Sequence, residues 1–241
     1  MITRSERLVT QRAKIREYRQ AREYLDSLPD IPTVVTPGNH DVPLYRVWER
    51  LFAPHRNYRE YISQELDSVT RIEGAVVVAL DTTAPHRAIV NGHLRDRQLS
   101  FASAAFQGAP AEDVKIVVTH HHLASAPDYE SDQALSGYQR CLDAFESMGV
   151  ELILGGHLHR AFVADSRDVR PAEGERAGIV ISHTGTTTSR RGRARERNRN
   201  SCNLIRITGE RMEITHHLFH PQDGAFLPAA EHIFPRRNRF F

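Results

Sequence analysis

Three times along the chain an apolar or β-branched run stops at a cluster of nitrogen- and oxygen-bearing side chains. Thr33 to Thr36 runs into Pro37-Gly38-Asn39-His40-Asp41, Val114 to Thr119 into His120-His121-His122, and Glu151 to Leu154 into Gly155-Gly156-His157-Leu158-His159. Between and before these runs lie segments with helical spacing of apolar residues: 11 to 28, 44 to 52, 58 to 66, 95 to 106 and 139 to 148. A further continuous apolar run, Ala75 to Leu80, ends at Asp81. Apolar strands alternating with helices predict an α/β domain whose strands are covered on both faces. Strand-like stretches follow at 160 to 165, 178 to 183, 203 to 208 and 212 to 219, and the hairpin turning at Gly209-Glu210 predicts a mixed sheet. In open α/β sheets, sites form beyond the carboxyl ends of strands, so three separate segments would deliver imidazoles to one rim.

Composition narrows the function classes. Of 241 residues, 40% are hydrophobic and 26% charged, which excludes a disordered tail or a collagenous repeat. The two cysteines, Cys141 and Cys202, are too few for a disulfide framework and read as reduced thiols. No stretch is apolar over the ~20 residues a membrane span requires, so a cytoplasmic protein without a membrane partner is expected. Net charge is only +2, yet of 32 cationic residues all but Lys14 and Lys115 are arginine. Fourteen histidines are more than packing requires, and their concentration at strand ends suggests metal chemistry.

Singly, each cluster has an ordinary reading. A Gly-Asn-His-Asp sequence often is just a turn, and the triple histidine or the His-x-His pair can be a solvated loop. Together, three imidazole- and amide-bearing strand ends suit a borderline first-row divalent metal such as Mn, Fe, Zn or Ni. Such ions polarise phosphoryl oxygens and generate hydroxide near neutral pH.

On Gly38-Asn39-His40-Asp41, His120-His121 and Gly156-His157-Leu158-His159, the chain resembles the calcineurin-like metallophosphoesterases, from about Thr10 to Thr215. The resemblance implies a sandwich of two mixed β-sheets flanked by helices, in a single domain spanning 1–241. It implies two metals ~3.5–4 Å apart in the complete family site. Asn39, His120 and His157 would ligate the second metal and His159 the first. His40 would stabilise the transition state or protonate the leaving oxygen, and Asp41 would orient it. His121 would support these ligands from behind, and His122 has no assigned role. The substrate would be a small phosphoester, most simply a phosphodiester or cyclic nucleotide, as in the small bacterial phosphodiesterase branch.

Two family motifs have no counterpart here: an Asp-x-His after the first strand and a Gly-Asp whose carboxylate bridges both metals. Thr10-Gln11-Arg12-Ala13 resembles the segment that follows the bridging Asp, which places that position near Leu8, beside Glu6 and Arg7. The expectation is therefore an N-terminally incomplete domain, lacking a strand-helix-strand unit and holding one metal or none. The alternatives are a catalytically degenerate module that binds metal, nucleic acid or a partner, and a repair-type nuclease.

Ser189 to Arg199 carries six arginines and Glu196. It reads as a solvated loop, as phosphate steering by Arg190, Arg191 and Arg193, or, less well because aromatics are missing, as a nucleic-acid arm. Asp81 reads as a structural carboxylate bonding loop amides, His183 as peripheral, and the Phe234 to Phe241 tail as a surface for a partner subunit. Oligomeric state is left open by the sequence.

Overall fold

The structure is a computed structural model and describes residues 10, 12–86, 92–125, 133–169, 178–188, 192–193 and 196–236. They fall into two compact units, within Leu8–Val150 and within Glu151–Phe241.

The first unit contains α1 (Ile15–Asp26), a 3-10 turn (Asn39–Asp41), α2 (Val47–Phe52), α3 (Arg56–Tyr61), β1 (Ser68–Ile72), β2 (Ala75–Leu80), α4 (Asp96–Gln107), β3 (Val114–Thr119) and α5 (Tyr138–Ser147). β2 is buried at every position, as its unbroken apolar run predicts for a strand covered on both faces. It pairs in parallel with β3, Leu80 opposite Thr119, so Asp81 and His120 emerge from the same edge. The connection between them carries α4, the crossover a parallel pair requires. β1 pairs antiparallel with β2 and alternates half-buried with exposed residues.

Thr33 to Thr36 departs from the sequence expectation and forms no strand. Pro32 and Pro37 bracket it and remove two ladder donors. Its threonines bond through their side chains instead, Thr33 Oγ1 to Ile31 O at 3.1 Å and Thr36 Oγ1 to Leu80 O at 3.2 Å. The latter bond ties the segment to the carboxyl end of β2. α1 buries Tyr18 and Ala21, and Tyr18 packs with Ala13 and Tyr58 of α3 in a core cluster bordered by Tyr61, Ile62 and Leu66.

The second unit contains β4 (Leu152–Gly155), β5 (Phe162–Asp165), β6 (Val180–His183), β7 (Ser201–Ile207), β8 (Arg211–His220) and β9 (Ala225–Pro235). β4 and β6 run parallel, with Gly155 opposite His183, and β5 pairs antiparallel with β6. The hairpin at Gly209-Glu210 belongs to a separate sheet, β7-β8-β9, which is wholly antiparallel and carries a bulge at His216/His217. The mixed character expected from that hairpin comes instead from the antiparallel strands β1 and β5. Of the tail proposed as a partner surface, Phe234 and Pro235 are the last residues of β9 and pair with Met212 and Arg211 of β8, and residues 237–241 lie outside the described residues. Asn203 of β7 joins the two sheets of this unit, donating to Ser182 Oγ at 3.0 Å and His183 O at 3.1 Å. Parallel and antiparallel strands, a second sheet and flanking helices make the α/β architecture read from the sequence.

Candidate metal centre

In the first unit, Asn39, His40 and Asp41 lie on one 3-10 turn. Its anchor is Asp41, which is 1% exposed. One carboxylate oxygen accepts the Gly38 N–H at 2.9 Å and the other the Thr10 hydroxyl at 3.0 Å. The same hydroxyl lies 3.0 Å from His40 O, and Tyr18 donates to Asp41 O at 2.8 Å. Burial pushes the Asp41 carboxyl up to about 6, although the Gly38 and Thr10 bonds and the nearby His120 pull it down. What Asp41 visibly orients is the turn itself, and through it the half-buried Asn39 and His40.

His120 leaves the end of β3 and meets this turn, with Nε2 2.9 Å from Asn39 Oδ1. Gly38 makes room for the ring, since a Cβ there would sit 2.7 Å from His120 Cε1 and Nδ1. Adjacent ligand atoms around an octahedral divalent ion are about 3 Å apart when each bond is ~2.1 Å. An amide oxygen and an imidazole nitrogen at this spacing therefore fit one side of a coordination sphere. His121 packs edge-on to His120, centroids 4.9 Å apart, and its Nδ1 pairs with Thr82 Oγ1 at 2.8 Å. His122 is buried and its carbonyl accepts the Leu135 N–H.

Asp81 bonds a loop amide as expected: Oδ1 accepts Thr83 N–H at 2.8 Å and Thr83 Oγ1–H at 2.6 Å. Its hydroxyl partner also contacts His55 Nε2 at 2.7 Å. Because Thr83 gives its one proton to Asp81, His55 must donate through Nε2.

In the second unit, His157 and His159 follow β4. Both have left-handed backbone, φ 63° and 56°, on either side of the buried Leu158. Such backbone costs of order 1–3 kcal/mol per non-glycine residue and clusters at functional loops. His159 O accepts the Arg193 N–H at 2.9 Å, which ties Arg193 of the arginine-rich segment to the His-x-His loop. Gly155 admits the buried His183, for a Cβ there would meet its Cε1 at 2.6 Å, and that ring stacks on Phe162. Arg190 and Arg191 lie outside the described residues.

Sequence reasoning missed Thr10 and Glu196. Thr10 has a signal in hindsight, as the first residue of the recognised Thr10 to Ala13 segment. Glu196, the lone acid among the arginines, is 5% exposed and accepts the Ala161 N–H and the Ser201 hydroxyl. It anchors the described part of the arginine run from inside, with Arg193, Arg197 and Arg199 exposed.

No curated protein matches the chain. Among solved structures, it resembles a dimetal phosphatase from Danio rerio at 12% identity and TM-score 0.57, over 83% of this chain and 74% of that one. It also resembles GAP50, the anchor in the inner membrane complex of Plasmodium, at 12% identity and TM-score 0.59, over 98% of this chain and 78% of that one. At such identities the likeness speaks for the fold. The family model for calcineurin-like phosphoesterases matches residues 9–161, well over half of the sequence and including all three histidine-bearing segments. The chain belongs to the calcineurin-like phosphoesterase family.

Proposed function

We propose that this protein is a metal-dependent hydrolase of small phosphodiesters, cyclic nucleotides among them. The observation that carries the reading is the 2.9 Å approach of Asn39 Oδ1 and His120 Nε2 on a turn held by a buried carboxylate. By the family's pattern, Asn39, His120 and His157 would hold one divalent ion, and His159 would serve a second position. When bound, such ions polarise a phosphoryl oxygen and supply hydroxide near neutral pH. The chain's own contribution is positional and acid–base. His40 protonates the departing oxygen from its imidazole, and Asp41 with Thr10 fixes the turn that presents it. His121 buttresses His120, and Arg190, Arg191 and Arg193 attract the anionic substrate. We treat 1–241 as one domain because the family match continues across the boundary between the two units. A cytoplasmic setting accords with the two free thiols. No helix among the described residues is long and apolar enough to cross a membrane.

The sequence near Leu8, where the family's pattern has a bridging carboxylate, favours a second reading, a binding module of the same fold without turnover. One experiment separates the two. Purified protein is supplied in turn with Mn²⁺, Fe²⁺, Zn²⁺ and Ni²⁺, its metal content is measured, and hydrolysis of bis-p-nitrophenyl phosphate is followed. Metal-dependent turnover that falls by more than about 100-fold in His157→Ala supports the hydrolase. Bound metal without turnover supports the binding module, and neither metal nor turnover sinks the reading.

A further inference from the structure

The segment directly after the Asn39-His40-Asp41 turn is folded inside out. In and around α2, the charged side chains are engaged by neighbouring protein groups: Arg46 donates to Ala13 O at 2.7 Å and pairs with Glu49. Glu49 in turn accepts from Asn57 at 3.2 Å, and Arg50 donates to Pro85 O. The apolar side chains face outward, and α2 buries no residue at all. Leu44 is 51% exposed, Tyr45 82%, Val47 59%, Trp48 74%, Leu51 47% and Phe52 79%. Trp48 and Phe52 stack nearly parallel, 5.9 Å apart, into one aromatic ridge. A helix on a water-facing surface has the opposite arrangement, and a contiguous apolar patch of this size marks an interaction site.

The occupant follows from charge and area. An interfacial membrane helix sets free cations toward the headgroups, but Arg46 and Arg50 are held by bonds to Ala13 O and Pro85 O. With Arg46 paired to Glu49 and both arginines bonded to carbonyls, the patch meets an identical patch with little like-charge repulsion. The exposed area of these six residues is of the order each partner contributes to a standard protein–protein interface, about 800 Å². Two-fold dimers place one patch against its own copy. We infer that the Leu44 to Phe52 face is a homodimer interface, built on Trp48 and Phe52.

Sedimentation equilibrium of the full chain from sub-micromolar to tens of micromolar tests this. The expected result is a species of twice the chain mass that dissociates at least 100-fold more readily in Trp48→Glu and in Phe52→Glu. Ile31→Glu, at an exposed apolar residue elsewhere in the unit, leaves the dimer intact. Because Trp48 is the only tryptophan, its emission in the wild type should shift to the red on dilution, and in Phe52→Glu start there. A wild-type monomer throughout overturns the inference, even if no variant folds. So does a dimer indifferent to both substitutions, or a monomer that floats with phosphatidylcholine/phosphatidylglycerol vesicles.

Discussion

Gly38→Ala isolates the geometry on which the metal reading rests. The backbone at Gly38, φ −107° and ψ 174°, is ordinary extended chain, so alanine adds no conformational strain. All of its effect is steric: the new Cβ would lie 2.7 Å from His120 Cε1 and Nδ1 and 3.0 Å from Nε2. Comfortable contact requires ~3.4 Å or more, so the ring must retreat by about 0.7 Å. His120 is 2% exposed at the end of a buried strand and has little slack. Its 2.9 Å approach to Asn39 Oδ1 would open beyond hydrogen-bond range. Overpacking of this kind costs about 1–3 kcal/mol, and a catalytic misplacement near 1 Å costs on the order of 100-fold in rate. The assay pairs Mn²⁺ titration calorimetry with bis-p-nitrophenyl phosphate turnover and thermal melting. Gly209→Ala serves as control, because a Cβ there meets nothing within 4 Å. Metal affinity and turnover should fall by at least ~10-fold in Gly38→Ala only. Wild-type values for both would refute the claim that His120 and Asn39 form one ligand pair.

Two further outcomes can be checked by thermal melting. Tyr18→Phe removes the 2.8 Å bond to Asp41 O inside the core and should cost about 1.5 kcal/mol, a Tm loss of roughly 3–6 °C, and an unchanged Tm would dismiss that bond as a support of the turn. His216 bonds Asn203 Oδ1 at 2.8 Å, and burial lowers its pKa more than Glu196 raises it, so the folded protein takes up this proton less readily than the unfolded chain. Its contribution is then complete above the unfolded value near 6.5 and is lost as pH falls through the folded one. The stability margin of wild type over His216→Gln should narrow from about pH 7.5 to about pH 5, and a widening margin would reverse the assignment.

Strands buried on both faces were the most legible part of the fold. β2, β3 and β4 appear in the sequence as apolar runs because nothing along them needs to face water. β1 and β9 were not legible. β1 alternates exposed and half-buried residues over only five positions, and β9 is exposed along nearly its whole length, so neither has a buried face to pattern it. Thr33 to Thr36 misled because β-branched composition without backbone donors at its flanks does not make a ladder. At the site, imidazoles at strand ends were readable from type and position. The contacts that support them were not: Thr10 to Asp41 and Thr82 to His121 span 31 and 39 residues, and hydroxyls leave no periodic trace.

The left-handed backbone at His157 and His159 sets selection for stability against selection for chemistry. Glycine at either position would relax the loop by about 1 kcal/mol, and it would delete the imidazole. A library of this gene sorted only for thermal tolerance should therefore drift toward glycine at 157 and 159, and lose the His-x-His loop before any core residue changes.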